Sequence, residues 1–143
     1  MSQHFTIAEL THSDTAIKHG INNIPTGDIL LNMQCLMDGL ENVRSLLGDK
    51  PITINSGYRC KELNDVVHGV HHSAHEQGYA ADFVCPDFGI PLAIVRFLKT
   101  TPLVFDQIIQ EGKWVHVSFA PEARQQVLTA NFRIGGTTYT QGA

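Results

Sequence analysis

Ser73-Ala74-His75-Glu76-Gln77-Gly78-Tyr79-Ala80-Ala81-Asp82, continuing into Phe83 and Val84, sets a histidine and a carboxylate on either side of a glycine turn. The run AADFV has the content of an apolar strand, and Asp82 lies within it. An unpaired buried carboxylate is costly, so such a residue is normally paired, hydrogen-bonded or bound to a metal. A second strand, Trp114-Val115-His116-Val117-Ser118, alternates so that His116 shares a face with Trp114 and Ser118 while Val115 and Val117 point the other way. Two histidines and one carboxylate suit zinc, and three protein ligands leave a fourth position for water, as catalytic rather than closed structural sites do. His75, Asp82 and His116 are therefore the expected metal ligands. Metal-assisted hydrolysis also needs a base and an oxyanion partner, for which Glu111 and Arg59 are the candidates.

Outward from this segment, the clearest helix spans 26–48, where Ile29, Leu30, Met33, Leu36, Met37, Leu40, Val43 and Leu47 recur at three- and four-residue steps between a capping Thr26 and a closing Gly48. FTIAEL and residues 13–19 read as short helical turns ending at Gly20. ITIN after Pro51 reads as a strand, 60–67 as a short helix, 69–78 as an ordered loop and 91–99 as a further helix. FDQIIQ and WVHVSF form a hairpin about Glu111-Gly112-Lys113, with a strand near 126–128 and a last one in IGGTTYTQGA.

The chain has 143 residues, the length of one domain, and its 43% hydrophobic and 17% charged residues are those of an ordinary globular protein. A single domain over 1–143, acting as a monomer, is expected. The net charge of -4, with both signs mixed along the chain, leaves no footprint for nucleic acid or an anionic bilayer, and no apolar run is long enough to insert into a membrane. Cys35, Cys60 and Cys85 are odd in number and widely spaced, and read as reduced, buried thiols. The start, MSQHFTIAELTHSDTA, has no basic stretch followed by an apolar one, so synthesis in the cytoplasm is expected, with release by another factor if the target lies outside the membrane.

SGYRC, SAHEQGYAAD and FDQIIQEGKWVHVSF together resemble the M15 family of zinc peptidases. The family's Ser-x-His-x-x-Gly-x-x-x-Asp stretch and Trp-x-His strand are matched by Ser73, His75, Gly78, Asp82, Trp114 and His116, and a Gly-Ile-x-Asn-x-Pro segment at 20–25 is similar to the small single-domain branch. The resemblance covers roughly residues 5–128. It implies an α+β fold with a small antiparallel sheet, flanking helices and a zinc cleft over the sheet. It also implies zinc as cofactor and the stem peptide of bacterial peptidoglycan as substrate, cut as by a D-Ala-D-Ala carboxypeptidase or by a phage endolysin acting between L-Ala and D-Glu. Arg59 would anchor substrate or steady an oxyanion, and Ser73 would bind substrate or orient the metal loop. Many members place an acidic base three positions before the last metal histidine, where this chain has Lys113; Glu111 is the nearest carboxylate.

Each site residue also has a plainer reading. Alone, His116 would be a packed strand histidine, Asp82 a turn-bonded carboxylate, Arg59 part of a structural salt bridge and Ser73 a turn cap. Their joint spacing favours the metal site. His68, His71 and His72 read as solvated loop residues, Asp106 as support behind the site or, the plainer and preferred reading, a solvated strand-edge residue, and Trp114 as core whose ring has one wall of the cleft as its other place. The enzyme expected is a phage or prophage endolysin freed by a holin. The rival is a non-catalytic zinc-containing wall-binding or virion-associated module, with Lys113 marking a lost base.

Overall fold

The AADFV strand, β2 (Ala80–Val84), is covered along its length because it has a neighbour on each side. It pairs antiparallel with β1 (Thr53–Ser56) and with β4 (Val115–Ser118). The structure, a computed structural model, describes residues 2–143; Met1, the first residue of the N-terminal reading, lies outside them. β3 (Gln107–Gln110) forms the expected hairpin with β4. β5 (Gln126–Arg133) lies on the far side of β3, and β6 (Gly136–Gln141) forms the edge. The strand order is β1-β2-β4-β3-β5-β6.

The antiparallel expectation fails at one pair, since β3 and β5 run parallel. β4 ends beside the start of β3, and residues 119–125 merely pass to the other side of β3, so β5 starts at the same end. β5 also runs past the expected 126–128 to Arg133, because β6 pairs with it throughout.

The helices are α1 (Ile7–Thr11), α2 (Asp14–His19), α3 (Asp28–Leu46), α4 (Lys61–Val66) and α5 (Pro91–Leu98). Side-chain caps from Thr6 and Ser13 satisfy first-turn amides of α1 and α2, and Gly20 at φ 65 closes α2. α3 is shorter than the expected 26–48: Gly27 at φ 59 holds Thr26 outside the helix, and Leu47 is its C-terminal cap. Its Met33, Leu36, Met37, Leu40 and Val43 are buried with Phe83, Ile108, Val115 and Val117 of the sheet and Ile94, Val95 and Leu98 of α5. Leu30, expected in this stripe, is exposed. No helix among the described residues is long and apolar enough to cross a membrane.

The thiols meet the expectation of buried, reduced cysteines only in part. Cys85 is buried, Cys60 is half-buried and Cys35 is exposed, all three free. Cys60 precedes α4, where its Sγ accepts from Leu63 N at 3.5 Å, and Cys35 falls between the buried positions of α3.

One helix and one turn are joined at Gly57. Tyr58 N donates to Leu10 O at 2.7 Å, and a Cβ on Gly57 would run into that same carbonyl. Gly57→Ala should therefore destabilise the protein by about 1–3 kcal/mol through overpacking. Thermal unfolding of the two proteins checks this, with an unchanged melting temperature as the contrary result.

Candidate metal centre

The core face of the sheet carries Ala81, Phe83, Val115 and Val117, so alternation turns Asp82 and His116 to the opposite face. Register places the two residues directly opposite each other on β2 and β4. His75 arrives from the turn before β2, where Tyr79 N bonds Ala74 O at 2.9 Å and Gly78 takes φ 82. A side chain at Gly78 would also crowd Met33 and Ile29 of α3, so this turn suits glycine twice over.

Asp82 Oδ1 lies 3.2 Å from His75 Nε2 and 3.1 Å from His116 Nδ1. All three residues are buried, and one ligand atom from each falls within 4.8 Å of the others. His75 Nδ1 lies 2.8 Å from Gly57 O. A carbonyl only accepts, so Nδ1 holds the ring proton and Nε2 presents a lone pair. Burial pushes His75 towards the neutral form, against the pull of Asp82. Burial also opposes the charge on Asp82, but the two imidazoles outweigh it and hold the carboxyl well below the usual range. A lone pair on Nε2 facing a carboxylate oxygen calls for a positive charge between them. A divalent cation meets that need, and the two-nitrogen, one-oxygen donor set suits zinc. The group fits the residues.

Around this centre lies a cavity of about 730 Å³ whose wall includes Arg59, Ser73, Glu111 and Trp114 as well as His75, Asp82 and His116. All the candidate site residues are thus brought together. Glu111 sits on the β3–β4 turn, with Oε2 accepting from Trp114 Nε1 at 2.6 Å. Burial, and then the charge of Asp82, push its pKa upward against the pull of His116, Trp114 and Arg59. Arg59 is reached through the Gly57 turn, its backbone N donating to His75 O at 3.1 Å. Its Nε is buried without a partner. Burial weakens the hold on its proton, while Asp82 and Glu111 strengthen it.

Ser73 lines the cavity, but its hydroxyl donates to Asn64 Oδ1 at 3.2 Å and accepts from Glu76 N at 3.2 Å, so turn capping occupies it. His68 and His72 reach the cavity rim, exposed and at φ 58 and 57. His71 is exposed beside His72, as expected of a solvated loop. Lys113 is also exposed, on the turn.

Two plainer readings need correction. Trp114 is only half-buried and forms cavity wall, because the N–H of its ring is drawn to Glu111. Asp106 is not solvated: it is 3% exposed, with Arg124 Nε and Nη2 each at 2.9 Å and Arg124 N at 3.1 Å. Asn23 went unnoticed in the sequence except as part of a motif. Its amide donates to Thr11 O and Tyr58 O and accepts from Cys60 N, which anchors the turn bearing Arg59.

A family model described as peptidase M15 matches residues 3–118. The chain belongs to the M15 peptidase family. His75, Asp82 and His116 lie inside the matched residues, whereas β5 and β6 lie beyond them. A zinc D-Ala-D-Ala carboxypeptidase of Streptomyces albus G is 36% identical over 78 residues, which is 54% of this chain and 30% of that relative. The match thus spans under a third of the relative's length.

Alanine at His75 or His116, or asparagine at Asp82, should abolish stoichiometric zinc binding, read by elemental analysis of dialysed protein. Saturating zinc should stabilise the parent, by about 4 kcal/mol at a thousandfold excess over Kd, and leave the melting temperature of the variants unmoved. Equal metal content in parent and variants would sink the assignment.

Proposed function

We propose that the protein is a zinc-dependent peptidase that cleaves the stem peptide of bacterial peptidoglycan. The observation that carries this reading is the convergence of His75, Asp82 and His116 with a half-buried carboxylate, Glu111, and an arginine, Arg59, whose buried Nε has no partner, in one cavity. The family membership and the named activity of the Streptomyces relative support it.

Zinc held by the three ligands would supply Lewis acidity, making water nucleophilic near neutral pH and polarising the carbonyl under attack. Glu111 is the base. Its Oε2 is engaged by Trp114, which leaves Oε1 to take the proton from the attacking water and pass it to the departing amine. A raised pKa suits a group that must both accept and return a proton. Arg59 offers its guanidinium to the substrate oxygen that carries negative charge. Ser73 holds the metal-bearing turn in shape. Glu111 in the cavity wall takes the place of the acidic residue that Lys113 lacks, which favours an enzyme over a binding module. The scissile bond is either L-Ala-D-Glu or D-Ala-D-Ala, and the setting is that of a phage or prophage endolysin.

Incubation with purified peptidoglycan should release new amino termini or free D-Ala. A chelator should stop the release and added zinc restore it, with the product identifying the bond. No release under any condition would remove wall hydrolysis from consideration.

Glu111→Gln should keep its zinc and lose activity by about 10²–10⁴-fold. For the parent, activity should fall as pH drops through the raised pKa of Glu111, placing the acid limb above the ordinary value of 4.5. Because this carboxyl ionises less readily in the fold than in the unfolded chain, its charge costs stability as pH rises. The variant should therefore melt no lower than the parent at neutral pH. A variant that retains zinc and full activity would take the base role from Glu111.

A further inference from the structure

The cleft face of the sheet continues beyond the metal centre towards the C-terminus. In register, Asp82 faces His116, His116 faces Ile109, and Ile109 faces Leu128. Ala130, two residues beyond Leu128 and on the same side of β5, faces Tyr139 on β6. Ile109, Leu128 and Ala130 form a small buried cluster of their own, apart from the main core. A strip of apolar floor thus leads from the metal centre to Tyr139.

Tyr139 lines the same cavity as the three ligands, yet it is 49% exposed on a strand whose residues are all exposed. The packing of the fold does not account for its position there. Burial raises its pKa, and the charges of Glu111 and Asp82 raise it further, which places the phenol within their field and keeps it a proton donor. The hairpin is braced against the site by Phe132, whose ring lies 6.4 Å from that of Trp114, the residue that holds Glu111.

We propose that the β5–β6 hairpin, outside the family-matched residues, is the far wall of the substrate cleft and that Tyr139 contacts the bound peptide. The ring covers an aliphatic side chain lying on the floor made by Ile109 and Leu128, and the hydroxyl donates to a peptide carbonyl. This rests on the reading of the cavity as a peptide site. Tyr139 is a specificity-determining residue: it acts on which peptide is held rather than on the bond-breaking step.

Trp114 is the one tryptophan of the chain and stands in the cavity wall, so its fluorescence reports occupancy directly. Metal-stripped parent, Tyr139→Phe and Tyr139→Ala are titrated with a synthetic stem peptide, which removes turnover from the binding readout. The zinc-loaded proteins are then assayed for KM and kcat, with melting temperature and zinc content as checks on the fold. Loss of the hydroxyl alone should weaken binding about threefold to tenfold, the effect of one hydrogen bond, and loss of the ring should weaken it further. KM should rise with kcat nearly kept. If the parent binds the peptide in a Tyr139-dependent way but never cleaves it, the cleft wall stands and hydrolysis falls. If the parent cleaves while Tyr139→Ala binds and turns over as the parent does, hydrolysis stands and the wall is overturned. Absence of any binding by the parent also overturns it.

Discussion

A carboxylate buried on a core strand is the constraint on which this structure turns. Asp82 shares β2 with Ala81 and Phe83, which belong to the main core, and its charge must be balanced at a point where two imidazole nitrogens stand within 3.2 Å of it, one of them presenting a lone pair, which is the place for a cation. Those imidazoles must come from elsewhere in the chain. One is delivered by strand register with β4, the other by a turn closed at Gly78 and locked to Gly57 by a hydrogen bond that also chooses the tautomer. The parts of the fold that look peripheral to the chemistry, α1 and the Asn23 segment, are what hold that turn in place.

The two faces of the sheet divide the work. One face takes α3 and α5 into a continuous apolar core, where dispersion and burial supply stability. The other keeps polar and titratable groups in a cavity where burial and neighbouring charges shift their proton affinities in different directions. Glu111 is pushed up and Asp82 down, a few residues apart in space, because Glu111 gains one indole N–H whereas Asp82 gains two histidines. A group ready to exchange protons and a group that stays ionised are what a hydrolytic metal site needs side by side.

Asp106 and Arg124 illustrate how the far side of that cavity is built. Arg124 is flanked by Ala123 and Gln125 at φ 44 and 53, a conformation that costs energy in residues with a Cβ. It is held there by the fork onto Asp106 and by the bonds of Gln125 to Phe105 and Leu103. The crossing that places β5 parallel to β3 is therefore pinned by polar contacts with the segment that leads into β3.

Much of this could be seen in the residues themselves. Periodicity marked α3, alternation assigned the faces of β4, and an acid in an apolar strand announced that something must pair with it. These features are local, so a short window of sequence contains the whole signal. The misreadings share the opposite property. Asp106 looked like an exposed edge residue because Arg124 lies eighteen positions away, and Tyr139 drew no notice because only pairing with Ala130 brings β6 to the cleft. The sequence by itself determined which residues can bind a metal and which strands must be buried, since those depend on side-chain chemistry and spacing along the chain. Only the tertiary structure decided the tautomer of His75, the partner of each charge and the wall of the cleft, since these depend on contacts between segments that chain order does not place together.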